Sequence, residues 1–321
     1  MQFIMSLTTS SEFVIRGGDH EHVIGIAGDY GNGIRLGYET MRLQDIFVEM
    51  LASRRFEICE FSLANYIMLR AQGQDWLTAV PIFPFRAFRH SLAVTRRNST
   101  LTDLGGLAGA RIGVEDYSMT AAVWFRGLLE SEYGVDHRSI TWVTYGNQRF
   151  ALPQEATVET TSRDLEDLLC ASGIDALLGF SLRDARLPEP ERRLRPLLAD
   201  AEAVEREYYQ RTSIYPINHC VVIRSDVLDA NPPLAAKVCE AYSAAKERAY
   251  RRQLGASLVP WGKMHWIRTF ELFGGDPLPY GLTPVNRLVI DRLGRDLLQQ
   301  GFIRSVPVAD QIFTVAPAIG P

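Results

Sequence analysis

Val80–Thr95, VPIFPFRAFRHSLAVT, and Ile214–Arg224, IYPINHCVVIR, are the two stretches from which the architecture is read. Both look extended and mostly apolar, and both carry chemistry in the middle: Arg86, Arg89 and His90 in the first, His219 in the second. Pro81 and Pro84 break the start of the first, and Ser91–Thr95 reads as a buried strand. A chain that leaves one unit along the first stretch and returns along the second builds two lobes around a cleft. The expected division is residues 1–93 with 217–321 for a discontinuous lobe one, and 94–216 for lobe two.

Outward from these crossings, short apolar strands alternate with longer helical patterns, the signature of α/β architecture. His22–Ala27 reads as a strand, followed by a loop from Gly28 to Gly33. Leu43–Ser53 places Leu43, Ile46, Phe47, Met50 and Leu51 on one helical face. Phe56–Leu63 is a strand whose alternation puts Ile58, Glu60 and Ser62 on one side, and Ala64–Gln72 turns helical. Strands are expected at Arg111–Val114 and Ile174–Leu178. Helices are expected from Ser118, as N-cap, to Gly134, and at Asp164–Ala171, Leu234–Arg252 and Arg287–Gln300.

The 321 residues are 46% hydrophobic and 22% charged, enough for two ordinary cores. A net charge of -4 with interleaved signs excludes nucleic acid as the main partner, which needs a concentrated basic face. Cys59, Cys170, Cys220 and Cys239 are scattered, and three lie in apolar segments, as buried thiols do. Met1–Asp19 lacks the pattern of a secretory signal, and no apolar run reaches bilayer length. A cytoplasmic setting without a membrane partner is expected; self-association is left open.

Four clusters carry candidate chemistry. Arg86-Ala87-Phe88-Arg89-His90 sets two guanidiniums and an imidazole on apolar strand; if extended, Arg86, Phe88 and His90 share a face. Arginine forks match carboxylates, and Phe88 can stack on a ring; a solvated strand end is the bland alternative. Glu60 and Ser62 point together from an apolar strand, as a salt-bridged pair or as a titratable cleft group. Tyr117, Ser118 and Thr120 open a helix where free N–H groups favour anions, with Trp124 one turn on. His219 lies on the return crossing, where a core histidine is the ordinary reading. His20-x-His22 has metal-ligand spacing but is set aside as part of a mobile N-terminal segment. Gly28-x-x-Gly31-x-Gly33 is not a dinucleotide loop.

Those same residues resemble the 4,5-dihydroxyphthalate decarboxylases, relatives of the solute-binding proteins of ABC transporters. The resemblance runs in blocks from about Tyr30 to about Arg287: MRLQDIFVEMLASRRFEICEFSLANYI, VPIFPFRAFRHS, IGVEDYSMTAAVWFRGLLESEYGV, IYPINHCVVIRSDV and PYGL. It implies a two-lobed, type II periplasmic-binding-protein-like fold with a central cleft. It also implies a carboxy-lyase releasing CO2 from a hydroxylated aromatic carboxylate, in aromatic compound catabolism. His90 or His219 would donate the proton and Glu60 would partner a phenol. Arg86 and Arg89 would hold the carboxylate, with Tyr30, Ser62, Phe88, Tyr117, Ser118, Thr120 and Trp124 around the substrate. No cofactor or metal is expected, although His90, His219 and Glu60 could hold a metal. The chain departs from the family at Asp29-Tyr30-Gly31-Asn32, where a His-Tyr-Asp-Arg-like run is expected, and at Ser181, where an arginine is expected. These departures put the dicarboxylate substrate in question. A cytoplasmic solute-binding or sensor protein, or a lyase or hydrolase acting on another substrate, is the alternative.

Overall fold

In the computed structural model, residues 11–179, 182–255 and 259–314 are described. Strands β1 (Ser11–Gly17), β2 (Gly28–Asp29) and β3 (Ile34–Thr40) precede helix α1 (Leu43–Ser53); β4 (Ile58–Ser62), α2 (Leu63–Ala71) and β5 (Leu77–Val80) follow. Past the first crossing come β6 (Ala93–Arg96), β7 (Arg111–Gly113), α3 (Thr120–Tyr133), β8 (Thr141–Thr144) and β9 (Val158–Thr160). Next are α4 (Leu165–Cys170), β10 (Ala176–Leu178), α5 (Leu182–Ala185), β11 (Leu194–Pro196) and α6 (Ala201–Thr212). After the return lie β12 (His219–Arg224), α7 (Ser225–Ala230), α8 (Leu234–Gly255), α9 (Gly262–Phe273), α10 (Pro284–Gln299) and α11 (Ala309–Ile312).

Among the described residues the strands form two six-stranded sheets, in the orders β2-β3-β1-β4-β12-β5 and β11-β6-β10-β7-β8-β9. The first takes strands from both sides of the crossings; the second takes all of its strands from between them. In the first, β1 runs parallel to β3 and β4, whereas β12 is antiparallel to β4 and β5. In the second, β10, β7, β8 and β9 are parallel and β6 is antiparallel to β10. Parallel strands deliver their carboxyl ends to one edge, where loops build binding sites.

The crossings lie side by side. Arg86 and Ile217 form an antiparallel bridge, Ala87 N–H donates to Pro216 O at 3.2 Å, and Asn218 N–H donates to Phe85 O at 2.9 Å. The Trp124 indole donates to Ile217 O at 2.9 Å, tying α3 to the return crossing.

Several local expectations are corrected. His22–Ala27 is not a strand: Glu21–Val23 forms a 3-10 turn, and Gly25 at φ 87° cannot continue an extended run. The strand comes earlier, in β1, where Phe13 and Ile15 face the core alternately with Val14 and Arg16. The N-terminal segment from Ser11 onward is therefore part of the sheet. His90 does not continue a strand with Arg86 and Phe88: Arg89 adopts a helical conformation and His90 opens a 3-10 turn. The α3 N-cap is Met119 rather than Ser118, whose hydroxyl donates to Asp116 Oδ1 at 2.6 Å instead; Gly134 ends the helix in the left-handed conformation, as expected. Cys59, Cys220 and Cys239 are buried and Cys170 is half-buried, all as free thiols.

The lobes do not have wholly separate cores. One apolar cluster runs from Phe47, Phe61 and Met68 of lobe one through Val123, Phe125 and Ile112 of lobe two to Val289, Leu293 and Leu297 of α10. A second lies between the first sheet and α8, with Ile58, Val221, Val238 and Tyr242.

Candidate functional site

Glu60 is the centre of the site. It stands on β4 with no exposed surface, and a buried carboxylate needs donors. It has three: the backbone N–H of Gly18 at 2.9 Å, His20 Nε2 at 3.0 Å, and His219 Nδ1 at 2.6 Å. The register of β4 and β12 pairs His219 with Ser62 and Val221 with Glu60, so Glu60 and His219 are diagonal neighbours on one face of the sheet. His20 arrives from the turn after β1. Gly17 makes that approach feasible: a Cβ there would lie 2.3 Å from Tyr38 Oη and 3.3 Å from Glu60 Oε2. The Tyr38 hydroxyl donates to Gly18 O at 2.8 Å and closes the cradle.

Charge follows geometry. Burial alone would push Glu60 up, but the hydrogen bonds and charges of His20 and His219 outweigh it and hold the carboxyl far below its ordinary range. Burial lowers His20 too, yet Glu60 more than compensates and its pKa is raised. At His219 burial prevails over Glu60 and the pKa falls below 6.5. The Nδ1–H to carboxylate bond sets the tautomer and ring orientation, leaving Nε2 for chemistry.

Two phenylalanines frame the imidazole. Phe47 of α1 meets His219 edge-on at 5.1 Å, and Phe85 of the outgoing crossing lies 5.2 Å from His219 and stacks on His20 at 5.9 Å. Arg89 is buried with Nε and Nη2 unpartnered among the described residues, and its charge opposes protonation of His219. Burial brings the Arg89 pKa down to about 10. It is a buried cation whose field reaches His219.

The structure gives other expected residues different surroundings. Arg86 Nη2 donates to Asn286 Oδ1 at 2.7 Å and Pro279 O at 2.9 Å and so braces α10, while its Nε has no partner among the described residues. His90 packs on Tyr208 at 5.0 Å and Tyr133 at 6.3 Å, and burial takes its pKa down to about 4; it does not join Glu60. Phe88 lies against Tyr215 at 4.7 Å and lines a separate cavity of about 560 Å³ with Trp266 and Phe273. The Tyr117 ring lies 3.8 Å from the Arg126 guanidinium and 5.7 Å from Phe302, where α3 meets the end of α10. Tyr30 donates to Ile26 O, and Asp29 closes an exposed turn by accepting from Gly31 N–H. Ser181 is outside the described residues. Ser62 and Thr120 hydroxyls meet at 2.8 Å, and Thr120 Oγ1 accepts from Ala64 N–H, so this pair bolts the lobes together.

His20, Gly18, Phe47 and Phe85 are site residues that sequence reasoning missed or discounted; the His20-x-His22 pair after two glycines was their one visible signal. The set His90, His219 and Glu60 is not assembled for a metal. Among the described residues, the one group of three potential ligands within 4.8 Å of one another is Glu130, Asp136 and His137, which excludes Glu60. No helix among the described residues is long and apolar enough to cross a membrane.

Two sheets joined by paired crossings, with a buried carboxylate–imidazole group beside them, define a molecule of the periplasmic-binding-protein fold. The solved structures agree on the fold. The periplasmic aliphatic sulphonate-binding protein SsuA of Escherichia coli superposes with TM-score 0.57 at 12% identity, covering 97% of this chain and 94% of that one. The alkanesulfonate-binding protein SsuA of Xanthomonas axonopodis pv. citri gives 0.56 at 15% identity, covering 94% and 98%. A 4,5-dihydroxyphthalate decarboxylase of Comamonas testosteroni is 31% identical over 272 residues, 79% of this chain and 81% of the relative. One of Pseudomonas putida is 34% identical over 146 residues, 42% and 57% respectively. No family model matches. The chain belongs to the 4,5-dihydroxyphthalate decarboxylase family.

Proposed function

We propose that the protein is a carboxy-lyase that releases CO2 from a hydroxylated aromatic carboxylate at the Glu60–His219 group. The observation that carries this reading is the 2.6 Å contact of His219 Nδ1 with a carboxylate that has no exposed surface. Such a bond aims Nε2 and supports the protonated ring. The lobes we assign are residues 1–93 with 217–321 and residues 94–216, with the substrate between them.

In this reading Arg89 draws the substrate carboxylate to the imidazole, and the ring packs beside Phe47 and Phe85. His219 Nε2–H protonates the ring carbon that bears the carboxylate, assisted by electron release from a ring hydroxyl. The carbon–carboxylate bond then breaks, its electron pair restores the aromatic ring, and CO2 leaves. Neutral His219 regains its proton from solvent. Glu60 orients the histidine instead of receiving a phenolic proton, because Gly18, His20 and His219 already occupy its oxygens. Glu60 raises the His20 pKa and so favours positive charge beside that carboxylate.

The test is CO2 release from hydroxybenzoates and hydroxyphthalates in D2O, with deuterium expected at the vacated carbon. Binding of a ring acid by calorimetry without CO2 from any substrate would leave a solute-binding protein in place of an enzyme.

A further inference from the structure

Arg149 follows β8, in the part of the chain that builds the second sheet. Its segment is tightly held: Gln148 Oε1 accepts from Tyr117 N–H at 2.8 Å, and Gln148 Nε2 donates to Tyr145 O at 2.7 Å. Asp116 Oδ2 accepts from Arg149 backbone N–H at 3.0 Å and lies 3.2 Å from Nε. One edge of the guanidinium is therefore spoken for. The other edge is not: Nη1 and Nη2 are fully buried without a partner among the described residues, on a side chain only 6% exposed. The guanidinium reaches across to lobe one, 5.6 Å from the Phe47 ring, which is the same ring that meets His219 at 5.1 Å.

A buried arginine with its fork open and its other edge pinned is a preorganised holder for a bidentate anion. Arg149 and His219 both border the Phe47 ring, so the fork and the imidazole share one aromatic neighbour. Arg89 serves a carboxylate near the imidazole, so a fork on the opposite lobe serves a second one.

Resting on the carboxy-lyase reading above, we infer that Arg149 selects ring acids carrying a second anionic substituent and holds that substituent from lobe two. Asp116 acts as its positioning residue. The anion-binding capacity put in doubt by the departures at Asp29 and Ser181 is thereby supplied from a different position.

Calorimetry with phthalate and benzoate on the parent and on Arg149→Gln tests this independently of turnover. The parent is expected to prefer phthalate by roughly 100-fold, and Arg149→Gln to lose that preference by weakening phthalate while leaving benzoate within about threefold. If the glutamine variant melts early, Arg149→Lys carries the same comparison, with an intermediate loss expected because lysine keeps charge without the fork. Retained preference in the variants, equal weakening of both ligands, or no preference in the parent overturns the assignment. CO2 release measured alongside separates the two readings. A variant that keeps the preference in a protein releasing CO2 sinks only the role of Arg149. Loss of the preference in a protein that releases none sinks only the lyase.

Discussion

Glu60 shows how one buried group organises its neighbours. Its charge is tolerable because three donors surround it, and the two histidines respond oppositely to the same carboxylate: His20 is raised, while burial keeps His219 lowered. If protonated His219 is the acid, kcat/KM of the free enzyme falls as pH rises through its pKa, which lies below 6.5. Glu60→Gln removes the group that pulls that pKa up, so the midpoint should move lower still. His219→Asn should reduce kcat by roughly 10²- to 10⁴-fold with the fold intact. A pH–rate profile of the three proteins checks this, and an unmoved midpoint in Glu60→Gln would remove Glu60 from the acid's control. For stability, Glu60's lowered pKa contributes above pH 4.5 and is lost as pH falls through its folded value. His20's raised pKa contributes fully below pH 6.5 and is lost as pH rises through its folded value.

At the level of elements, the turn that ends β1 matters most. Gly17 is needed for space and not for an unusual φ: an added Cβ would collide with the Tyr38 hydroxyl that donates to Gly18 O. Gly17→Ala should cost roughly 1–3 kcal/mol, the range for overpacking a filled site. Tyr38→Phe in the same chain should recover part of that loss, since it removes the colliding oxygen. A thermodynamic cycle of the two substitutions by denaturant unfolding reads the coupling. Simple additivity would show that the clash is relieved elsewhere. The same scale holds the contacts between lobes: Arg42 and Gln44 at the start of α1 reach Glu115 at 3.1 and 3.2 Å, beside the Ser62–Thr120 pair.

Across the whole molecule, a core shared by α1, α2, α3 and α10 ties the lobes into one apolar body. Lobes that share buried surface cannot lose it separately without exposing it. Thermal unfolding followed by near- and far-ultraviolet circular dichroism and by calorimetry should therefore give one coincident transition. Two resolved midpoints would mean that each lobe is stable alone and the shared core is marginal. The alternation of strands and helices, the two crossings, and helices such as α1 and α10 were legible in the residues alone, because apolar periodicity is a local property that burial enforces directly. The sequence also singled out Glu60 and His219, a carboxylate and an imidazole on strands otherwise too apolar to hold them. Which charged groups meet depends on long-range packing. His20 reaches Glu60 only because β1 lies beside β4. Arg86 Nη2 finds Asn286, 200 residues away, and Arg149 faces Phe47 only because β8 and α1 are brought together in the folded molecule. Partners so distant in the chain leave no periodic trace, since charge pairing depends on a few ångströms of packing that no local pattern encodes.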